Sequence, residues 1–156
     1  MIKILLVLLL HIVTFSTLSA SVLEDNQKRC DTGNMKGCYN LGVLYSKGHS
    51  VTQDYKKATA FYTKACDAKN GAACYNLGVL YARGYGMKQD YVKARGLFAD
   101  SCSYQYMHGC YNLGIFMAKG LGGLRSQLKA KKYFSRACIS GLEKACENFK
   151  LLKSTY

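Results

Sequence analysis

Eight cysteines carry the most evident chemistry in this chain, and they stand on a 36-residue ruler. Cys30, Cys66, Cys102 and Cys138 form one series, and Cys38, Cys74, Cys110 and Cys146 the other, so C-x7-C occurs four times. Thiols so placed could pair, hold a metal or do redox work. Zinc fits poorly, because the spacing is not C-x2-C and the two histidines beyond the N-terminal segment, His49 and His108, occupy no repeated ligand position. No metal site and no cofactor follows from these residues. One Ser-x-x-Lys, Ser126 to Lys129, has the spacing of an acyl-transfer centre, yet the Ser-Asp-Asn and Lys-Thr-Gly elements that would complete it are missing. Ser126 also stands in register with Asp54 and Asp90, and Lys129 with Lys57 and Lys93. That register reads as a helix N-cap followed by a solvated lysine. No residue earns a catalytic role.

Geometry bears on how the cysteines pair. On one continuous helix, residues eight apart are separated by roughly 12 Å, whereas a disulfide needs Cα atoms within about 7 Å. The intervening residues must turn, and Gly33, Gly37, Gly71 and Gly109 are the expected turn residues. Pairing 30–38, 66–74, 102–110 and 138–146 uses every cysteine. The rival scheme, 38–66, 74–102 and 110–138, orphans Cys30 and Cys146, so the first is expected. Each nine-residue loop then contributes roughly 2–3 kcal/mol by chain entropy.

The segments between the cysteines repeat too. Cys-Tyr-Asn-Leu-Gly recurs at 38–42, 74–78 and 110–114. Self-similarity at this period means a stack of like supersecondary units. Cys38, Leu41, Gly42 and Tyr45 fall at i, i+3, i+4, i+7, the packing stripe of an amphipathic helix. Gly48, Gly84 and Gly120 stand where that helix should end. Asp54, Asp90 and Ser126 are N-cap residues for a second helix, continued by Ala58, Phe61, Tyr62 and Ala65. Small residues (Gly42, Gly78, Gly114; Ala58, Ala94, Ala130) let the two backbones approach, with Tyr45, Phe61, Phe98 and Phe134 filling the space beside them. The sequence predicts an all-α, right-handed α-solenoid of disulfide-stapled hairpins at 38–66, 74–102 and 110–138, with a C-terminal capping helix over 146–156. Only about nine residues precede Cys30 after the leader, which leaves the N-terminal cap apparently truncated.

Residues 1–20 read as a secretory signal peptide. Lys3 precedes the apolar run Ile4–Val13, interrupted by His11, and small residues follow at Ser16, Ser19, Ala20 and Ser21, so cleavage is expected near Ala20. The run is short for a membrane span, so no transmembrane segment is expected after maturation. Export supplies oxidising conditions, which suit an even number of cysteines. A secreted or periplasmic location follows, with residues 21–156 as one repeat domain. The whole chain carries 22 basic and 9 acidic residues, a formal +13, and loses only Lys3 with the leader. Such a protein should favour anionic surfaces such as envelope phosphates, polyanionic sugars or acidic peptides. Nucleic acid is not an expected partner: basic residues are dispersed over every repeat and no groove-reading motif is present. The local cluster Arg125, Lys129, Lys131, Lys132 and Arg136 reads as a solvated helix face.

Tyr39-Asn40-Leu41-Gly42, Leu44-Tyr45, Gly48, Asp54-Tyr55-x-Lys57-Ala58 and Lys64-Ala65-Cys66, returning at 75–102 and with losses at 111–138, resemble the Sel1-like repeats, relatives of the tetratricopeptide repeats. With a C-x7-C in every repeat behind a leader, the chain is similar to the Helicobacter cysteine-rich proteins. That resemblance implies a secreted protein that binds and slowly hydrolyses β-lactams. The alternative is a non-catalytic solenoid recognising a peptide or protein at the envelope or on a host surface. In tetratricopeptide-like stacks the first-helix face opposite the packing stripe lines a concave groove. Here it holds Tyr39, Asn40, Val43, Ser46 and Lys47, then Tyr75, Asn76, Val79, Ala82 and Arg83, then Tyr111, Asn112, Ile115, Ala118 and Lys119. The asparagines offer donor and acceptor to a peptide unit, the tyrosines apolar area, and Lys47, Arg83 and Lys119 a partner for a carboxylate. A peptidoglycan-type stem peptide and a β-lactam both present a carboxylate beside an amide.

Overall fold

In the computed structural model, which describes residues 21–153, all four C-x7-C motifs are closed as 30–38, 66–74, 102–110 and 138–146. Their Cα atoms lie 4.5–4.7 Å apart. The described chain is helical throughout, without strands: α1 (residues 21–31), α2 (Met35–Lys47), α3 (Tyr55–Asp67), α4 (Gly71–Arg83), α5 (Tyr91–Ser103), α6 (Met107–Lys119), α7 (Gln127–Ile139) and α8 (Glu143–Lys153). The expected leader, its cleavage site near Ala20 and residues 154–156 lie outside the described residues.

Hairpins α2–α3, α4–α5 and α6–α7 stack in order, and each bridge joins the second helix of one hairpin to the first helix of the next. First helices also touch each other directly, α2 against α4 and α4 against α6. The fold is an all-α, disulfide-stapled solenoid. α1 sits one period before α3 and is therefore in second-helix register, with no first helix before it among the described residues. It is bridged to α2 through Cys30–Cys38. At the other end of the described residues α8 is in first-helix register with no second helix after it.

Helix ends differ from the sequence expectation for identifiable reasons. First helices begin three residues before their cysteines because Asn34 and Asn70 cap them, accepting from Lys36 N at 3.1 Å and Ala73 N at 3.0 Å. Tyr106 holds the same position before α6 and makes no side-chain cap bond. At the far ends Gly48, Gly84 and Gly120 adopt φ of 71°, 69° and 71°, the left-handed conformation expected of them. Asp54, Asp90 and Ser126 cap the second helices, accepting from the backbone of Lys57, Lys93 and Lys129 at 3.0, 2.9 and 3.3 Å.

The turn inside each bridge corrects one expectation. Positive φ occurs at Gly33, Lys69, Gln105 and Gly141, one residue per repeat, and only Gly33 of the four expected turn glycines is among them. Gly37, Gly71 and Gly109 lie inside or at the start of helices. Gly37 answers a close approach instead, since a Cβ there would stand 2.6 Å from Arg29 Cβ and 2.8 Å from Cys30 N. The same column is filled by buried Ala73 and Ala145. A second correction concerns the aromatic beside Gly42. It is Tyr62, in register with Phe98 and Phe134, which face Gly78 and Gly114. Phe61 instead stacks on Tyr45 with centroids 5.7 Å apart.

Two consequences follow. Replacing Cys66 and Cys74 together with serine is expected to lower the unfolding free energy by roughly 2–3 kcal/mol in a denaturant titration. Non-reducing peptide mapping of the native chain should return only bridges within C-x7-C, and a Cys38–Cys66 peptide from folded protein would contradict the pairing.

Candidate functional site

The first helices of the three complete hairpins contain no acidic residue: MKGCYNLGVLYSK in α2, GAACYNLGVLYAR in α4 and MHGCYNLGIFMAK in α6. All nine carboxylates of the chain lie elsewhere, on α1, on the second helices and their caps, and on α8. Lys47, Arg83 and Lys119 end the three first helices and are exposed. On the second-helix side both signs occur. There a groove of about 500 Å³ between α3 and α5 is lined by Tyr81 and Leu97, with Asp67, Asp100 and Lys93 among its walls.

The tyrosines and asparagines of the repeated pentapeptide are half-buried rather than turned fully outward. Tyr39, Tyr75 and Tyr111 each tilt against the aromatic of the second helix in their own hairpin. The centroid distances to Tyr62, Phe98 and Phe134 are 6.1, 5.9 and 5.9 Å. One side of each ring thus packs and the rest remains accessible. Tyr75 additionally meets Tyr106 at 5.4 Å and His108 at 6.0 Å, forming an aromatic cluster at the middle of the stack. Asn40 donates to Asn26 Oδ1 at 2.9 Å, and buried Asn26 donates in turn to Val22 O at 2.8 Å. Asn76 bears on the Tyr62 hydroxyl, which also pairs with Ser46 Oγ at 3.0 Å. Asn112 faces the register of Phe98, which offers no such partner.

Three groups here are electrostatically displaced, Tyr62, Arg83 and Tyr106, the last raised by its burial. Burial pushes the Tyr62 hydroxyl above its ordinary value, against the opposing pull of its hydrogen bond to Ser46. Arg83 donates to the Tyr85 hydroxyl at 3.2 Å, and that bond strengthens its hold on the proton. Tyr85 stacks on Tyr55 of the preceding hairpin at 4.9 Å, so the guanidinium is held at the hairpin tip. Lys47 and Lys119 have no equivalent tyrosine, since Tyr85 is matched in register by His49 and Leu121.

Ser126 is a cap, with its Oγ accepting from Lys129 N, and Lys129 is exposed on α7. Of the α7 cluster, Lys132 and Arg136 are exposed and Lys131 half-buried. Arg125 reaches the Gln127 amide, whose oxygen accepts at 2.6 Å once oriented toward the guanidinium. Among the described residues no group of three or more His, Cys, Asp and Glu could hold a metal ion, and no helix is long and apolar enough to cross a membrane.

Sequence reasoning placed Tyr62 on the second-helix stripe without assigning it the ring site at Gly42, and missed Asn26 and Tyr106. Counting one period back from Phe98 locates Tyr62, and one more locates Asn26, so the ruler contained both.

Comparison with known proteins places this geometry. The Sel1 repeat family matches residues 36–70, 71–102 and 108–142. A Sel1 repeat protein from Oxalobacter formigenes superposes with a TM-score of 0.75 at 24% identity, covering 82% of this chain and 96% of that one. A protective antigen of uropathogenic Escherichia coli with an SLR fold gives 0.76 at 29%, covering 78% of this chain and 26% of its own length. Helicobacter pylori cysteine-rich protein B gives 0.68 at 27%, covering 85% and 95%. No curated protein sequence matches the chain. With every cysteine bridged, the chemistry is that of a compartment outside the reducing cytoplasm.

Two measurements probe the site. Ser126→Ala should cost about 1 kcal/mol through the lost cap and leave any β-lactam turnover nearly intact; abolished turnover in a folded variant would make Ser126 a nucleophile. For Tyr62 the unfolded phenol titrates near 10.0 and the folded one higher. Its contribution is therefore full below pH 10 and is lost as pH rises through the folded value. Tyr62→Phe should flatten the alkaline fall in stability measured by urea titration, and an unchanged slope would contradict the burial argument.

Proposed function

This chain belongs to the Sel1 repeat family, and from that premise we propose that it is an exported binding solenoid whose first-helix face takes an extended, anionic peptide-like ligand. One observation carries the reading: the first helices of the three complete hairpins, α2, α4 and α6, lack acidic residues while ending in Lys47, Arg83 and Lys119. A basic side chain recurring once per repeat, about two helical turns beyond half-buried Tyr39, Tyr75 and Tyr111, suits a ligand with apolar groups and carboxylates in alternation. Asn40, Asn76 and Asn112 supply amides to pair its backbone.

A peptidoglycan-type stem peptide meets these requirements, ending in a carboxylate beside an amide. A β-lactam shares that pair of groups, so the same face would accept one as a mimic. Slow hydrolysis would then be a by-product of binding, since the Ser126 hydroxyl already accepts the Lys129 amide as a cap. The excess of basic residues adds long-range attraction to anionic envelope surfaces, which salt should weaken. Export through the leader at 1–20 would bring the chain to that ligand.

The test is Asn76→Ala combined with Arg83→Ala, in the central hairpin. Affinity for a muramyl peptide, read by calorimetry, should fall at least about tenfold, or 1.4 kcal/mol, with helical content unchanged. Unaltered affinity in the double variant would mean that the ligand lies elsewhere.

A further inference from the structure

The last hairpin breaks a register that the first two keep. The residue opening the second helix is Tyr55 in α3 and Tyr91 in α5, but Gln127 in α7. Both tyrosine rings reach into the following repeat. Tyr55 stacks on Tyr85 at 4.9 Å, and Tyr91 meets Phe116 edge-on at 5.9 Å. At Gln127 there is no ring, and across from it Leu152 stands where Phe116 stands one repeat earlier. The space between α6, α7 and α8 is left as a pocket of about 210 Å³. A cavity of about 150 Å³ lined by aliphatic and aromatic side chains is enough to hold benzene, so this one has room for a ring with a short tail.

The chemistry of the lining is specific. Ile115, Ala118, Phe134, Leu151 and Leu152 form apolar walls. The single charged lining residue is Lys119, exposed at the end of α6, and no carboxylate lines the pocket. Gln127 forms part of the wall, with its amide oxygen held by Arg125, which lies outside the lining. Apolar walls with one cationic group at the side select a ligand that is apolar at one end and anionic at the other. We propose that this C-terminal pocket binds a small aromatic carboxylate, with the ring seated against Phe134 and Leu152 in the register of Tyr55 and Tyr91, and the carboxylate at Lys119. The site rests on its own observation, the broken tyrosine register; Ile115, Ala118 and Lys119 are common to it and the first-helix face, while Gln127, Phe134, Leu151 and Leu152 belong to the pocket alone.

A suitable probe is 3-(4-hydroxyphenyl)propionate, titrated against the full mature chain while the methyl resonances of Ile115, Leu151 and Leu152 are followed. Saturable shifts at all three are expected. The neutral amide of the same acid should bind about three- to fivefold more weakly, the scale of one exposed ion pair. Gln127→Tyr restores the register and should abolish binding. Lys119→Gln, at an exposed position, keeps the test open should Gln127→Tyr disturb packing, and it should erase the difference between acid and amide. Asn76→Ala with Arg83→Ala should leave these shifts intact, which separates this site from the first-helix face. Equal binding of acid and amide, or undiminished binding by folded Gln127→Tyr, overturns the proposal. So does a nuclear Overhauser contact between the Tyr156 ring and Leu152 in the ligand-free protein, because the chain would then fill the pocket itself.

Discussion

The stack depends on how closely a second helix can approach the first helix that follows it. A disulfide between residues eight apart closes only if the backbones nearly touch, and the Cα atoms do lie 4.5–4.7 Å apart. That demands a small residue immediately before the second cysteine, and the column reads Gly37, Ala73, Gly109 and Ala145. It also demands a left-handed residue in the turn, supplied once per repeat at Gly33, Lys69, Gln105 and Gly141. Non-glycine residues tolerate that conformation poorly, so Lys69 and Gln105 are held there by the turn that each bridge closes. The covalent unit is thus second helix, turn, first helix, and the described chain consists of four such units. The hairpins visible in the sequence are formed by packing between these units.

Within a hairpin the constraint is different. Gly42, Gly78 and Gly114 leave room for the ring of Tyr62, Phe98 or Phe134, and a Cβ at any of them would enter that ring. Such a stack must stop somewhere without exposing the next ring site. At the N-terminal end the ring column holds Asn26, buried and satisfied by Val22 O and Asn40. At the C-terminal end the glycine column holds Lys150, exposed on α8, where a following second helix would otherwise pack. At both ends of the described residues a polar residue thus stands in an otherwise apolar column, the character that terminal repeats of an array carry.

The ruler made the architecture legible, because every bridge, glycine stop and second-helix cap recurs at one spacing. Gly48, Gly84 and Gly120, and likewise Asp54, Asp90 and Ser126, were readable as ends since their local chemistry is sufficient in itself. Burial by tertiary contact was less so. Phe61 and Tyr62 are adjacent aromatics, and only the neighbouring hairpin decides which one lies beneath Gly42. The turn glycines misled for a related reason: glycine serves close approach as well as positive φ, and composition does not distinguish the two. The half-buried posture of Tyr39, Tyr75 and Tyr111 likewise comes from rings one helix away. Helical spacing alone put them on the outward face.

Departures from the repeat, rather than the repeat itself, give the first-helix face its character. The column 46, 82, 118 runs Ser, Ala, Ala, and the column 62, 98, 134 runs Tyr, Phe, Phe. The hydroxyl pair Ser46–Tyr62 and the amide pair Asn26–Asn40 therefore occur only toward the N-terminal end. The middle carries the Tyr75–Tyr106–His108 cluster because Tyr106 replaces the capping asparagine found at 34 and 70. Toward the C-terminus Gln127 replaces a tyrosine and opens an apolar pocket. Identical backbones thus present hydrogen-bonding groups, then rings, then a cavity along one line. An extended ligand laid on this face cannot be reversed without exchanging its polar and apolar contacts, so the substitutions impose a direction that perfect repeats would lack.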